Sequence, residues 1–202
     1  MAWINTVSYD EAEGPLRTIY DRLKGPDNHI DNILLAHSLR PHALEGHMAL
    51  YKNVLHHPRN TLPKWFLESV GVYVSLINGC DYCVSHHYEG MRNLLKDDER
   101  AQKMRAALEA GSPDLAYDDR EAAALEYAAL LTRAPTEITA RVIDDLRDAG
   151  LEDGEILEIN QVAGYFSYAN RTVLGLGINK EAEKSVIGMA PKSSEADDWS
   201  HR

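Results

Sequence analysis

The chain has 202 residues, 44% of them hydrophobic and 26% charged, enough apolar sequence to bury an ordinary core without disulfide staples. A formal net charge of −11 argues against a phosphate-backbone partner or an anionic membrane surface, and no apolar run approaches a membrane span. Met1-Ala2-Trp3-Ile4-Asn5 lacks the basic-then-apolar pattern of a secretory leader. The default expectation is therefore a cytoplasmic protein with no nucleic-acid and no membrane partner.

Taken in chain order, the pattern is helical nearly throughout. Ser8-Tyr9-Asp10-Glu11 reads as a capping box, followed by Leu16, Ile19, Tyr20 and Leu23 at helical spacing until Gly25-Pro26. A second helix is predicted over about 29–38, before Arg40-Pro41. A third carries Leu44, Met48, Tyr51 and Leu55 up to His57-Pro58, and Leu62-Pro63 opens a fourth. That fourth segment presents Phe66, Leu67, Val70, Tyr73, Val74 and Ile77, with Glu68 as its single charge, and ends at the turn signal Asn78-Gly79. Further helices are predicted from the cysteines to about Leu95, from Asp97 to near Gly111, from Asp118 to Thr132, through Ile138–Leu146 to a Gly150 cap, and from Asp153 towards Leu174. No strand alternation appears. The prediction is one all-α domain over 1–187, with a small, polar and acidic tail over 188–202 expected to be disordered.

Only two cysteines occur, and they are three positions apart. A disulfide closing so small a loop stabilises little, so the pair points to a metal site or a redox site. If Gly79 ends one helix and the next begins near Cys80, both thiols lie in a first turn, where free N–H groups and the helix dipole favour a thiolate. Cysteines at i and i+3 share a face and can form a disulfide; His87 falls on that face and can take a thiol proton. Along a straight helix Glu68 would lie about 18 Å from Cys80. If the chain reverses at Asn78-Gly79, Glu68 and His87 come level across an antiparallel pair, and a carboxylate in an apolar segment needs such a partner.

The bland readings are inert core cysteines, or a zinc site using Cys80, Cys83, His87 and either His86 or Glu68, which would make a non-enzymatic, metal-stabilised protein. Zinc is disfavoured because only one C-x-x-C pair exists. Covalent haem attachment is excluded because Val84 stands where a histidine is required. No cofactor and no metal are expected. His37, His42, His47, His56 and His57 read as surface or helix-end residues. Tyr165, Phe166 and Tyr168 read as core or interface. Asn170-Arg171 is divided evenly between a structural role and a contact to a pocket or a neighbouring subunit.

The run Glu68, eleven residues, Cys80-x-x-Cys83, three residues, His87 resembles the signature of the alkylhydroperoxidase D family, within the wider carboxymuconolactone decarboxylase group. Leu62-Pro63-Lys64 and Asn78-Gly79-Cys80-Asp81-Tyr82-Cys83 share the likeness. Asp119-Arg120-Glu121-Ala122 through Leu131-Thr132, Gly164-Tyr165-Phe166 and Asn170-Arg171 resemble its peroxidase-related branch, so that roughly residues 40–180 are covered. Joint spacing of four polar residues is far more specific than a lone C-x-x-C.

The resemblance implies an all-α bundle assembling as homo-trimers or hexamers. It also implies thiol-dependent reduction of an organic hydroperoxide or hydrogen peroxide, with regeneration by a dithiol reductant such as a lipoylated or thioredoxin-like protein. By position, Cys83 would attack the peroxide, Cys80 would resolve the sulfenic acid, and His87 and Glu68 would relay protons. First-turn geometry alone equally favours Cys80 as the reactive thiol. The sequence departs from the best-known members at Tyr82, where they carry histidine, and a phenol with pKa near 10 is a poor neutral-pH shuttle. The alternative on the same fold is a thiol-disulfide oxidoreductase acting on a non-peroxide partner.

Overall fold

The computed structural model describes residues 2–25 and 28–179, and the backbone of β1 (Met189–Pro191) and β2 (Trp199–His201), which pair antiparallel. The rest of the tail predicted over 188–202 lies outside the described residues. Every other regular element is helical, as the sequence pattern predicts. The chain forms two compact units: Met1–Pro58 with Arg171–Arg202, and Arg59–Asn170.

In the first unit, α1 (Gly14–Leu23) buries Leu16, Ile19, Tyr20 and Leu23. The capping-box bonds predicted at its start do form, with Ser8 N–H donating to Glu11 Oε2 at 3.1 Å and Glu11 N–H reaching Ser8 Oγ at 3.4 Å. They close a turn rather than a helix, which begins only at Gly14, a left-handed residue (φ +54°) followed by Pro15 in the first helical turn. Helix α2 (Asn32–Ala36) is shorter than predicted, and α3 (Pro41–Tyr51) passes into a π-helical turn over Lys52–His56. Buried Tyr20 donates its hydroxyl to the Val7 carbonyl at 3.0 Å, holding the N-terminal segment to this core.

The second unit is organised around α4 (Lys64–Ile77), which is apolar on nearly all sides and buries Phe66, Leu67, Val70, Val72, Tyr73 and Val74. Packed on it are α5 (Asp81–Leu95), α6 (Asp98–Ala110) and α7 (Asp119–Arg133). Helix α8 (Ala140–Asp148) follows, and then α9 (Asp153–Gly175), whose residues up to Asn170 belong to this unit. The charged starts of α6 and α7 are capped as their sequences suggest: Asp97 accepts the Arg100 N–H, and Asp118 with Glu121 forms a complete capping box.

The turn between α4 and α5 sets the geometry of everything that follows. Gly79 takes φ +69°, its N–H bonds the Leu76 carbonyl at 3.1 Å, and the Cys80 N–H bonds the Ser75 carbonyl at 2.9 Å. This 6→1, 5→2 pair is a Schellman ending, which satisfies the last carbonyls of α4 and turns the chain back at once into α5. The reversal predicted at Asn78-Gly79 is therefore present.

Candidate active site

Cys80 is the N-cap of α5 and Cys83 lies three residues on, within the first turn. Both are free and buried, with their sulfurs 3.0 Å apart. At that separation one S–H donates to the other sulfur, and the two protonation equilibria are linked. Donation by the Cys83 thiol is the main cause holding the Cys80 pKa below the ordinary thiol value; burial opposes it. The Cys83 backbone N–H, although it forms no capping hydrogen bond, and the Asn170 amide add smaller pulls, against the charge of Asp81. Cys83 is pushed well above the ordinary value, first by its hydrogen bond to Cys80, then by burial and by the negative charge on Cys80. Of the two, Cys80 is the more readily ionised thiol and Cys83 the less. Cys83 keeps 4% of its surface exposed and Cys80 none.

Across the antiparallel pair α4–α5, the His87 ring N–H at Nδ1 donates to Glu68 Oε2 at 2.7 Å. Glu68 is 3% exposed. Its carboxylate meets the need of a charge in an apolar helix for a partner, and fixes the ring tautomer so that Nε2 is the basic nitrogen. His87 lies one turn beyond Cys83 on the same helix face. No hydrogen bond joins its ring to either sulfur among the described residues, so the structure pairs the four predicted residues two by two.

Gly90 and Gly71, which the sequence reading passed over, and Phe166 and Tyr165, which it read as core or interface, surround this pair. A Cβ at Gly90 would lie 3.1 Å from both Cδ and Oε1 of Glu68, so glycine leaves the carboxyl its room beside α5. The Phe166 ring stands edge-to-face on His87, centroids 4.5 Å apart, and occupies the place where a Cβ on Gly71 would be, 2.3 Å from two ring carbons. Glycines inside helical segments are the available sequence signal for such approaches. Tyr165 is buried; burial first, then the charges that Cys83, Tyr168 and Glu68 would carry when ionised, push its hydroxyl well above the usual tyrosine pKa.

Tyr82, at the place where the resemblance calls for histidine, is buried with its ring 4.2 Å from that of His86, and the His86 ring N–H at Nδ1 donates to the Tyr82 carbonyl at 2.8 Å. Among the described residues, no three or more His, Cys, Asp and Glu side chains gather as a metal-binding group. No described helix is long and apolar enough to cross a membrane.

Residues 41–130 match the carboxymuconolactone decarboxylase family model. The matched segment contains both cysteines, Glu68 and His87. No curated protein sequence matches the chain. Among solved structures, an alkylhydroperoxidase AhpD core, peroxidase-related protein from Ralstonia eutropha is similar at TM-score 0.76 and 20% identity, covering 90% of this chain and 93% of its own. A peroxidase-related protein from a Silicibacter species is similar at TM-score 0.69 and 25% identity, covering 91% and 92%. The debrominase Bmp8, a Cys-to-Ala variant in complex with 2,3,4-tribromopyrrole, is similar at TM-score 0.64 and 20% identity, covering 83% and 84%. These neighbours establish the AhpD-like helical fold for this chain.

Proposed function

We propose that this protein is a thiol-dependent peroxidase that reduces hydroperoxides by cycling Cys80 and Cys83 between dithiol and disulfide. The observation that carries the reading is a reduced pair of sulfurs 3.0 Å apart, one helical turn from a histidine oriented by a buried carboxylate. The names of two neighbours with this fold, both peroxidase-related, agree with it.

The attacking role of Cys83 runs against the resting charge distribution, in which Cys80 ionises more readily, so the cycle begins with a proton transfer. The Cys80 thiolate accepts the Cys83 proton across their contact, and the Cys83 thiolate attacks the terminal oxygen of ROOH. The O–O bond breaks, Cys83 becomes a sulfenic acid, and the departing alkoxide takes a proton through His87, whose ring Glu68 orients. Cys80 then attacks the Cys83 sulfur, expelling water and closing the disulfide. The balance is two thiols plus ROOH giving a disulfide, ROH and H2O. An external dithiol, of the lipoylated or thioredoxin-like kind, restores the pair by exchange and leaves as its own disulfide. The assignment of Cys83 to attack and Cys80 to resolve rests on the resemblance and on Cys83 being the cysteine that keeps some exposed surface. A homo-oligomer in a cytoplasmic setting is part of the same reading.

The test is the intact mass of reduced, chelator-treated protein before and after one equivalent of an organic hydroperoxide. Rapid loss of two hydrogens supports the cycle. Cys83→Ser should then resist oxidation, whereas Cys80→Ser should halt at a sulfenic acid that dimedone traps. The reverse pattern would exchange the two roles. Thiols that stay reduced in the parent while an alkylating reagent still reaches them would refute peroxidase activity. A debrominase on the same fold makes a non-peroxide electrophile the next substrate class to try.

A further inference from the structure

Asn170 stands ninety residues downstream of Cys80, yet it is fully buried beside the α4–α5 turn. Its Oδ1 accepts from Asn78 Nδ2 at 2.9 Å, and its Nδ2 donates to Ser75 Oγ at 3.0 Å. Asn78 is the C-cap of α4, and the Ser75 carbonyl is the acceptor of the Cys80 N–H. One carboxamide on α9 thus grips the end of α4 at two points, Ser75 and Asn78, just before the residue that begins the dithiol. A primary amide carries two N–H donors, and Ser75 uses only one.

We propose that Asn170 belongs to the redox site: its buried carboxamide locks the Ser75–Cys80 turn and turns its second N–H to the two sulfurs, holding negative charge there. This inference rests on the dithiol reading of the site and goes beyond it by naming the group that stabilises the thiolate. The direction of its influence is the same on both cysteines, towards the ionised form. An amide suits this position because it donates without bringing a charge. A cation would strand its own charge in a buried site, and a carboxylate would repel the thiolate.

The test uses thiol ionisation rather than turnover, so it is independent of which oxidant the protein meets. Thiolate absorbance near 240 nm is followed against pH for the reduced parent, Asn170→Leu, Asn170→Asp and Ser75→Ala, with far-UV circular dichroism and Tm recorded alongside. Loss of the donor in Asn170→Leu should move the first thiol step up by about one pH unit, lowering the thiolate fraction about tenfold at pH values well below the parent step. Because nucleophilicity rises as the thiolate becomes more basic, iodoacetamide alkylation at those pH values should slow by only about three- to fourfold. Asn170→Asp, nearly isosteric, should move the step further, and it carries the test if Asn170→Leu fails to fold. Ser75→Ala should lower Tm while leaving the step in place. Folded Asn170 variants that titrate like the parent would overturn the proposal, and so would a Ser75→Ala shift as large as theirs. Failure of the peroxidase reading would instead appear as normal thiol titrations with no oxidation by hydroperoxide.

Discussion

Gly71→Ala is the sharpest available test of how α9 is seated on α4, because a single methyl group meets a ring with nowhere to go. The added Cβ would stand 2.3 Å from two carbons of Phe166 and 3.0 Å from a third. Phe166 is 0% exposed and is flanked by His87, centroids 4.5 Å away, and by Tyr165 at 5.2 Å. Alanine gains about 1 kcal/mol over glycine in a helix interior. Overpacking a filled core costs about 1–3 kcal/mol, and a ring held on both sides belongs at the upper end. The expected net loss is about 1–2 kcal/mol, a fall in Tm of roughly 2–8 °C at this chain length. The assay is thermal unfolding of the parent, Gly71→Ala, Phe166→Leu and the double variant. Phe166→Leu is destabilising alone, but it relieves the clash, so the cycle should show coupling of about 1 kcal/mol or more. A Gly71→Ala protein with unchanged or raised Tm, or strictly additive effects, would refute the packing argument. The displaced ring should also disturb His87, so the rate of thiol oxidation by hydroperoxide should fall with stability.

Glu68→Gln removes the carboxylate that orients His87, and at constant fold it should slow peroxide-dependent oxidation at least about tenfold, a share of the 10²–10⁴ that proton transfer contributes; unchanged rates would remove the pair from the mechanism. Gly90→Ala should give a smaller loss of rate with little change in Tm, because the helix-propensity gain of about 1 kcal/mol offsets crowding of a carboxyl only 3.1 Å from the new Cβ. On pH, Cys80 is lowered and Cys83 raised relative to an unfolded thiol near pKa ~8.5, so the thiolate absorbance should rise in two steps, one on each side of that value. The Cys80 contribution to stability is full above the unfolded pKa and is lost as pH falls through its folded value; the Cys83 contribution is full below the unfolded pKa and is lost as pH rises through its folded value. Cys83→Ala should move the Cys80 step upward, since the Cys83 thiol is the leading cause of its shift, and one merged step in the parent at the ordinary position would contradict the geometry. Asp118→Ala breaks a capping box whose Glu121 N–H bond is 2.8 Å long and should cost about 1 kcal/mol by denaturant unfolding, leaving thiol chemistry untouched.

What the sequence disclosed and what it withheld divide along one physical line, the range over which a residue's role is decided. The Glu68–His87 contact was legible because a local signal, Asn78-Gly79, fixes where the chain reverses, and counting residues from a sharp Schellman turn is enough to bring two side chains level across adjacent helices. The all-α pattern and most helix ends followed from equally local caps, Gly111 and the Asp118 box among them. The first helix shows the limit of such signals: Ser8 and Glu11 make their reciprocal bonds, yet a left-handed Gly14 delays the helix beyond them. Gly71 and Gly90 carry no local message, since a glycine inside a helix means close approach only when the approaching group is known, and here those groups are Phe166 and Glu68. Asn170 is the extreme case. Its partners Ser75 and Asn78 lie ninety-five and ninety-two positions away, and nothing in the pair Asn170-Arg171 says which helix it faces. The same distance defines what the proposal adds: the local turn and the contact between the thiols decide which sulfur ionises first, and a buried donor from another helix would favour ionisation of the pair as a whole.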